Sequence, residues 1–395
     1  MRIIVNGVGV AGPTLAYWLR QAGHEVLLVE AAPRLRSGGY VIDFWGIGYD
    51  IAERMGLLPR IRERGYAVQD VRFVDSEGRI RGGFEVAVFG RLLGDRFTSL
   101  RRSDLAAILY DALEGRVETI FGDSIAAIEQ TATAVAVSFD RSSPREADLV
   151  VGADGLHSRV RRLAFGAEGD FEVGLGYWVA AFEAQGYRPR DELVYVSHAA
   201  PGRQVSRFSM RDDTTLFLFV FRDQYAKGPD PTTDAERRAV LASVFSGMGW
   251  ECPAILAAAQ DAGEIYFDRV SQIRMRRWTN GRIALVGDAA ACASLLAGEG
   301  TGLAMAEAYA LAGELVDAGG DHASAFSRYE ARLMPFVARK QAAAAKFASS
   351  FAPKTSAGIA FRDVVTRLMR VPWIAEYFVG RDLRDDVELP RYRFR

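Results

Sequence analysis

The stretch Gly7-Val8-Gly9-Val10-Ala11-Gly12 constrains this chain more than any other. It follows a short β-rich run at residues 2–5 and opens a helical stretch at 13–21 that stops at Gly23, after which 25–29 is again apolar. That order is a β-α-β unit. In such a turn Gly7 permits the tight bend, Gly9 lets the backbone approach a pyrophosphate, and Gly12 permits close packing of helix on strand. Ala11 stands in the same turn, and the helix N-terminus offers N–H groups to phosphate. Glu30, at the end of the second strand, places a carboxylate where ribose hydroxyls donate. Strand, glycines, helix and acid in register predict a dinucleotide site. The turn alone does not choose between FAD and NAD.

A chain of 395 residues can build one large domain or two interleaved ones, each with its own core. Its two cysteines, Cys252 and Cys292, are too few for a disulfide framework and are expected as buried apolar residues in a reducing, cytoplasmic compartment. The four histidines, His24, His157, His198 and His322, show no metal-ligand spacing, so no metal is expected. A net charge of -1 with interspersed signs gives no footprint for nucleic acid or an anionic membrane. Arg2 and the apolar stretch up to Trp18 imitate a signal peptide, but Asn6 and the three glycines interrupt it. The apolar run 283–315 carries Asp288, Glu299, Glu307 and Glu314, which makes it a poor membrane span. Small molecules are therefore the expected partners of a soluble monomer or homodimer.

Residues 102–113 read as a helix with Leu105, Leu109 and Leu113 on one face, followed by short strands over 117–139 and a buried strand at 147–151. From 171 to 221 the β segments lengthen, at 177–182, 193–197 and 215–221. A helix at 233–245, a strand at 264–273, a short strand at 283–286 and a long helix at 301–315 follow. The expected fold class is α/β: a Rossmann-like nucleotide-binding domain interleaved with a mixed β-sheet substrate domain, plus C-terminal helices. The nucleotide domain takes residues 1–170 and 265–320. The substrate domain takes 171–264, with 70–100 available to it, and 321–395 is a C-terminal helical segment ending in a polar tail.

The segment Ala147-Asp148-Leu149-Val150-Val151-Gly152-Ala153-Asp154-Gly155, continuing through His157, Ser158, Val160 and Arg161, resembles the Asp-Gly segment of class A flavin monooxygenases related to para-hydroxybenzoate hydroxylase. Gly281 to Ala290 resembles their Gly-Asp segment, and Gly298-Glu299-Gly300 its downstream glycine pair. The motifs stand in the family's order, and the pattern is most similar to the tetracycline-inactivating members. The resemblance implies FAD, with NADH or NADPH as reductant and O2 as co-substrate. It further implies oxygenation of an aromatic or polycyclic molecule through a flavin hydroperoxide, chemistry carried by the flavin with no catalytic side chain to name.

By the same resemblance the cofactor contacts are Gly7, Gly9, Ala11, Gly12, Glu30, Arg36, Asp43, Arg102, Asp154, Gly155, Asp288, Gly298 and Gly300. Arg102, in Arg102-Ser103-Asp104-Leu105, resembles the arginine that reaches the cofactor, and residues 36–43 resemble a flavin-proximal loop. Asp288 can accept from a ribityl hydroxyl, and the helix starting near Gly300 turns its positive end toward the flavin's polar edge. Each has a plainer alternative: Asp288 as a helix cap, Arg102 as a solvated arginine, 36–43 as an exposed turn. His157 is expected to serve helix packing or nucleotide contact, not as a general base.

Three positions depart from the family pattern. Ala291 replaces a usual His, Leu295 stands near a usual Pro, and Glu299 replaces a usual Gln. The missing Pro alters the loop beside the flavin, and the glutamate adds charge there. Tyr177, Val179, Arg207, Phe217, Phe219 and Leu295 are candidates for the substrate pocket, although alternation in a strand equally predicts core. The polar pair that holds substrate in tetracycline-inactivating members has no assignable counterpart. A dehydrogenase or reductase on the same fold, and a flavin-binding regulator, are the competing readings; a halogenase is disfavoured because its paired-tryptophan motif is missing around Trp178.

Overall fold

The computed structural model describes residues 1–36, 40–369, 385 and 387–394. Ser37, Gly38 and Gly39 of the expected flavin-proximal loop lie outside the described residues, as does the stretch 370–384 of the C-terminal segment.

β1 (Arg2–Asn6) lies inside a six-stranded sheet, parallel to β2 (Glu25–Glu30) on one side and to the strand Leu149–Gly152 on the other. The strand Ile283–Leu285 continues the sheet beyond Leu149–Gly152, and Glu118–Phe121 closes it beyond β2. Leu149–Gly152 and Ile283–Leu285 are buried along their whole length. Such continuous apolar runs are what a parallel sheet covered on both faces requires. α1 (Ala11–Gln21) buries Leu15, Ala16 and Leu19 completely and packs on the helix Gly300–Asp317. Two acids of that helix are buried: Glu307 accepts the Gly287 N–H through Oε2 while its Oε1 has no hydrogen-bond partner among the described residues, and Glu314 pairs with Arg328, Arg332 and the Tyr392 hydroxyl.

A second, seven-stranded mixed sheet runs in the order Tyr266–Ile273, Glu172–Gln185, Thr214–Arg222, Arg203–Ser209, Val194–Ala200, Asp70–Val74, Ile80–Glu85. Its pairings are antiparallel except that of Val194–Ala200 with Asp70–Val74. Tyr266–Ile273, grouped from the sequence with the nucleotide domain, is an edge strand of this sheet, so the chain returns to the six-stranded sheet only after it. Alternation identifies a strand but not its partner, and this partner lies far away in sequence.

One face of the seven-stranded sheet carries Trp178, Ala180, Phe182, Phe217, Phe219 and Phe221 against the helices Asp234–Phe245 and Cys252–Asp261. The other carries Tyr177, Val179, Val220 and Val270 against Leu295, Leu296 and Ala352. The 30-residue helix His322–Phe351 joins the two units. The Gln341 side-chain amide donates to the carbonyls of Ile273 and Cys292, and that of Gln272 donates to Ala293 and Gln341. Residues 387–394, read from the sequence as a polar tail, bury Leu389 and Tyr392, and Phe394 packs on Trp18. Among the described residues no helix is long and apolar enough to cross a membrane, and no group of three or more His, Cys, Asp or Glu is placed to hold a metal.

Candidate functional site

The glycines after β1 are not equivalent. Gly7 has φ +111°, and a Cβ there would meet the Ala153 carbonyl oxygen at 2.4 Å; one at Gly12 would meet the Gly7 oxygen at 1.9 Å. Backbone packing alone requires both. A Cβ at Gly9 would meet only Arg102 Nη2, at 3.8 Å. Here the turn opens onto free space at the start of α1, a helix with no side-chain cap and no acid in its first turn.

Arg102 supplies the charge that such a space calls for. Its neighbour Arg101 is paired with Glu183 at 3.2 Å, whereas Arg102 has no ion pair of its own among the described residues. The Tyr40 hydroxyl group and, against the cost of burial, the Asp288 carboxylate hold its guanidinium more firmly protonated than usual. A cation and uncapped helix N–H groups converging over a glycine fit a diphosphate.

Glu30 and Asp154 shape this turn from either side. Glu30 accepts the N–H groups of Val8 and Ala32 at 2.8 and 2.9 Å. Asp154 accepts from Asn6 Nδ2 at 2.8 Å, Ser158 Oγ at 2.5 Å, and the N–H groups of Arg159 and Val160 at 2.8 and 3.1 Å. Four donors make Asp154 the tie between β1 and the helix Arg159–Ala164, and Gly155, at φ +81°, lies in the turn from the strand Leu149–Gly152 into that helix. Arg161, fully buried, reaches further: it donates to the carbonyls of Leu156 and Ala289 and pairs with Glu168. It fastens the Asp-Gly segment to the Gly-Asp segment, a role the sequence motif contains without revealing.

The Gly-Asp segment closes the other end. Gly287, at φ +65°, lies where a Cβ would press on Ala11 and Ala304 at 3.2 and 3.3 Å, so the turn, α1 and the helix Gly300–Asp317 meet there. Asp288 Oδ1 is 3.7 Å from the point where a Gly300 side chain would begin. No side-chain cap is made at the start of the helix Asp288–Ala291 or of the helix Gly300–Asp317, so Asp288 is not the cap of either. Asp43, Trp45, Gly298 and Glu299 line a narrow cleft at the start of the helix Gly300–Asp317. Asp43 is raised above the usual carboxylate range by burial, opposed by the Ser99 hydroxyl that donates to it at 2.5 Å. Arg36 is exposed.

The pocket candidates divide between the two faces of the seven-stranded sheet. Tyr177, Val179 and Leu295 come together on the side of the Gly-Asp loop. Phe217 and Phe219 do not: they pack under the helices Asp234–Phe245 and Cys252–Asp261 on the opposite face. Arg207, in register with Phe217, shares that far side and is 3 % exposed, paired with Glu251 at 2.8 Å and Asp191 at 2.7 Å. Alternation separates two sets of residues, and only the pairing decides which set faces the cofactor segments. Two tyrosines the sequence did not single out do lie near: the Tyr40 and Tyr266 rings are 5.9 Å apart, and both act electrostatically on Arg102.

The model of a family described as FAD binding domain matches residues 1–342. An uncharacterised protein of Mycobacterium tuberculosis (strain ATCC 25618 / H37Rv) is 39% identical over 343 residues, covering 86% of this chain and 91% of its own. A flavin-dependent monooxygenase of Legionella longbeachae is 36% identical over 341 residues, covering 86% and 87%. The crystal structure of tetracycline destructase Tet(51) superposes with a TM-score of 0.83 at 33% identity, covering 99% of each chain. These matches run through both sheets and the turns that join them, and the chain belongs to the FAD-binding family as an FAD-dependent monooxygenase.

Proposed function

We propose that NADH or NADPH is the reductant, and that one atom of O2 enters an aromatic or polycyclic small molecule held against the Tyr177–Val179 face of the seven-stranded sheet. The observation that carries the placement is Arg102, a cation without an ion-pair partner among the described residues and 3.8 Å from the open side of Gly9. In this reading Gly7, Gly9, Ala11 and Gly12 bring the backbone to the diphosphate, and Arg102 neutralises it. Glu30 keeps lone pairs for ribose hydroxyls beyond the two N–H groups it already accepts. Asp288 receives a ribityl hydroxyl, while Gly298 and Gly300 let the flavin's polar edge approach the helix start, whose dipole favours negative charge there. Asp43 and Arg36 flank the ring, and Asp154 and Gly155 hold the turn in shape.

Bound FAD supplies electron transfer and oxygen activation. The protein's share is to hold the substrate and exclude water. Tyr177, Val179, Val220 and Leu296 form a buried apolar cluster beside the partly buried Leu295, an apolar setting suited to a flat ring system. The similarity to a tetracycline destructase over nearly the whole chain supports the polycyclic end of that class. The test is a panel of aromatic and polyketide compounds screened for accelerated NAD(P)H oxidation, with product mass measured under labelled oxygen. A product carrying one labelled atom is expected. An unlabelled product would assign the chain to dehydrogenase chemistry, and peroxide alone from every compound would remove this substrate class.

A further inference from the structure

Glu299 occupies the N-cap position of the helix Gly300–Asp317, yet its side chain makes no capping bond to that helix. A carboxylate ordinarily favours such a place, because the first N–H groups and the helix dipole attract it. Lys340 explains why it turns away. Its Nζ, projecting from the helix His322–Phe351, lies 2.9 Å from Glu299 Oε1 and 2.9 Å from Asp385 Oδ1. The Lys340 and Glu299 side chains are only 8% and 17% exposed, so solvent screens this pair little. Asp385 also accepts the Ile47 N–H at 2.6 Å, on the wall of the cleft that contains Asp43, Trp45 and Gly298. Burial alone would discourage charge on Lys340; the two carboxylates outweigh it and hold the ammonium protonated.

We propose that Lys340 is a positioning residue for the cofactor: by holding the Glu299 carboxylate off the first turn of the helix Gly300–Asp317, it reserves those N–H groups for the flavin's polar edge. This rests on the reading, given above, that the flavin edge meets that turn. The sequence departure at Glu299 then carries its own compensation, a buried cation on the bridging helix. Without that cation, the Glu299 carboxylate is drawn onto its own helix start and becomes an anion where negative charge on the reduced flavin must be accommodated. Oxidised flavin suffers less from this than reduced flavin, so the two-electron potential falls.

The experiment compares wild-type holoenzyme with K340M, K340R, the double variant K340M/E299A, and D288A, reading flavin content and the two-electron potential by spectroelectrochemical titration. K340M is expected to lose about tenfold in its preference for reduced over oxidised flavin, a negative shift of ~30 mV for two electrons. K340R, which keeps the cation, should stay near wild type, and removal of the acid in K340M/E299A should return the potential toward it. A lysine that only stabilised the fold would lower the thermal midpoint without moving the potential, and removing Glu299 would rescue nothing; either result overturns the inference. K340Q carries the same test should K340M be insoluble. D288A separates the two levels. Loss of flavin from D288A alongside an unshifted K340 variant retires this inference alone, whereas full flavin retention in D288A retires the placement of the site.

Discussion

His157 Nε2 lies 3.3 Å from Asp268 Oδ2 while its Nδ1 lies 2.9 Å from Glu168 Oε1. One imidazole thus connects the turn after the Asp-Gly segment to the edge strand of the seven-stranded sheet. With a carboxylate at each nitrogen the ring is best satisfied as a double donor. Its pKa rises to about 9, through the Asp268 hydrogen bond first, against burial, and then through Glu168. A folded-state value above the unfolded one of 6.5 means that the stabilisation is complete below about pH 6.5 and is lost as pH rises through about 9. The ring is 57% exposed, so solvent screening keeps the effect modest. H157Q should lower the thermal midpoint at pH 6, with the difference from wild type closing by about pH 10. A difference constant across that range would show that charge plays no part.

The glycine turn predicts a dissociation between folding and binding. G12A places a methyl group 1.9 Å from a backbone oxygen and should yield unstable or insoluble protein. G9A meets nothing closer than the Arg102 guanidinium and should fold with a normal apoprotein melting curve. Its flavin content after purification should fall several-fold, because the methyl group fills space left for phosphate. Wild-type flavin retention in G9A would remove the diphosphate from this turn.

That asymmetry also shows what a single sequence can and cannot reveal. Gly7 and Gly12 were legible because their backbone geometry excludes other residues, and Glu30 because β2 delivers it to the same edge of the parallel sheet. Phe217, Phe219 and Arg207 were misplaced because a period of two defines two faces without naming either. Tyr266–Ile273 falls outside the domain its place in the sequence suggests for a related reason, since its partner Glu172–Gln185 is remote in the chain. Lys340, Glu307 and the buried tail residues Leu389 and Tyr392 had no local signal at all. Their partners are Glu299, Gly287 and the helix Gly300–Asp317, met only once the tertiary fold has formed.

The two faces of the seven-stranded sheet should separate stability from catalysis. F219A removes a fully packed ring beneath the helix Asp234–Phe245 and should cost roughly 3–5 kcal/mol, with the KM for any accepted substrate unchanged in the fraction that folds. L295A, at a partly buried position on the cofactor side, should change stability little. It should instead raise KM or increase the peroxide formed per NAD(P)H consumed. A KM effect in F219A larger than in L295A would put the substrate on the wrong face.

Glu307 tests whether the Gly-Asp turn depends on a charge or on an acceptor. Its carboxyl is 1% exposed and accepts the Gly287 N–H at 2.5 Å, immediately before Asp288. Burial pushes it well above the usual carboxylate range, with the Gly287 bond pulling the other way. Burial thus works against the charged form, and a carboxamide of the same shape keeps the accepting oxygen. E307Q should retain near wild-type melting and flavin content. E307A leaves a buried backbone N–H without a partner, a loss of ~1–3 kcal/mol, and should release flavin as the turn carrying Asp288 loosens. If E307Q proved as damaging as E307A, the carboxylate anion itself would be the required group, and the helix Gly300–Asp317 would contain a buried negative charge facing the turn.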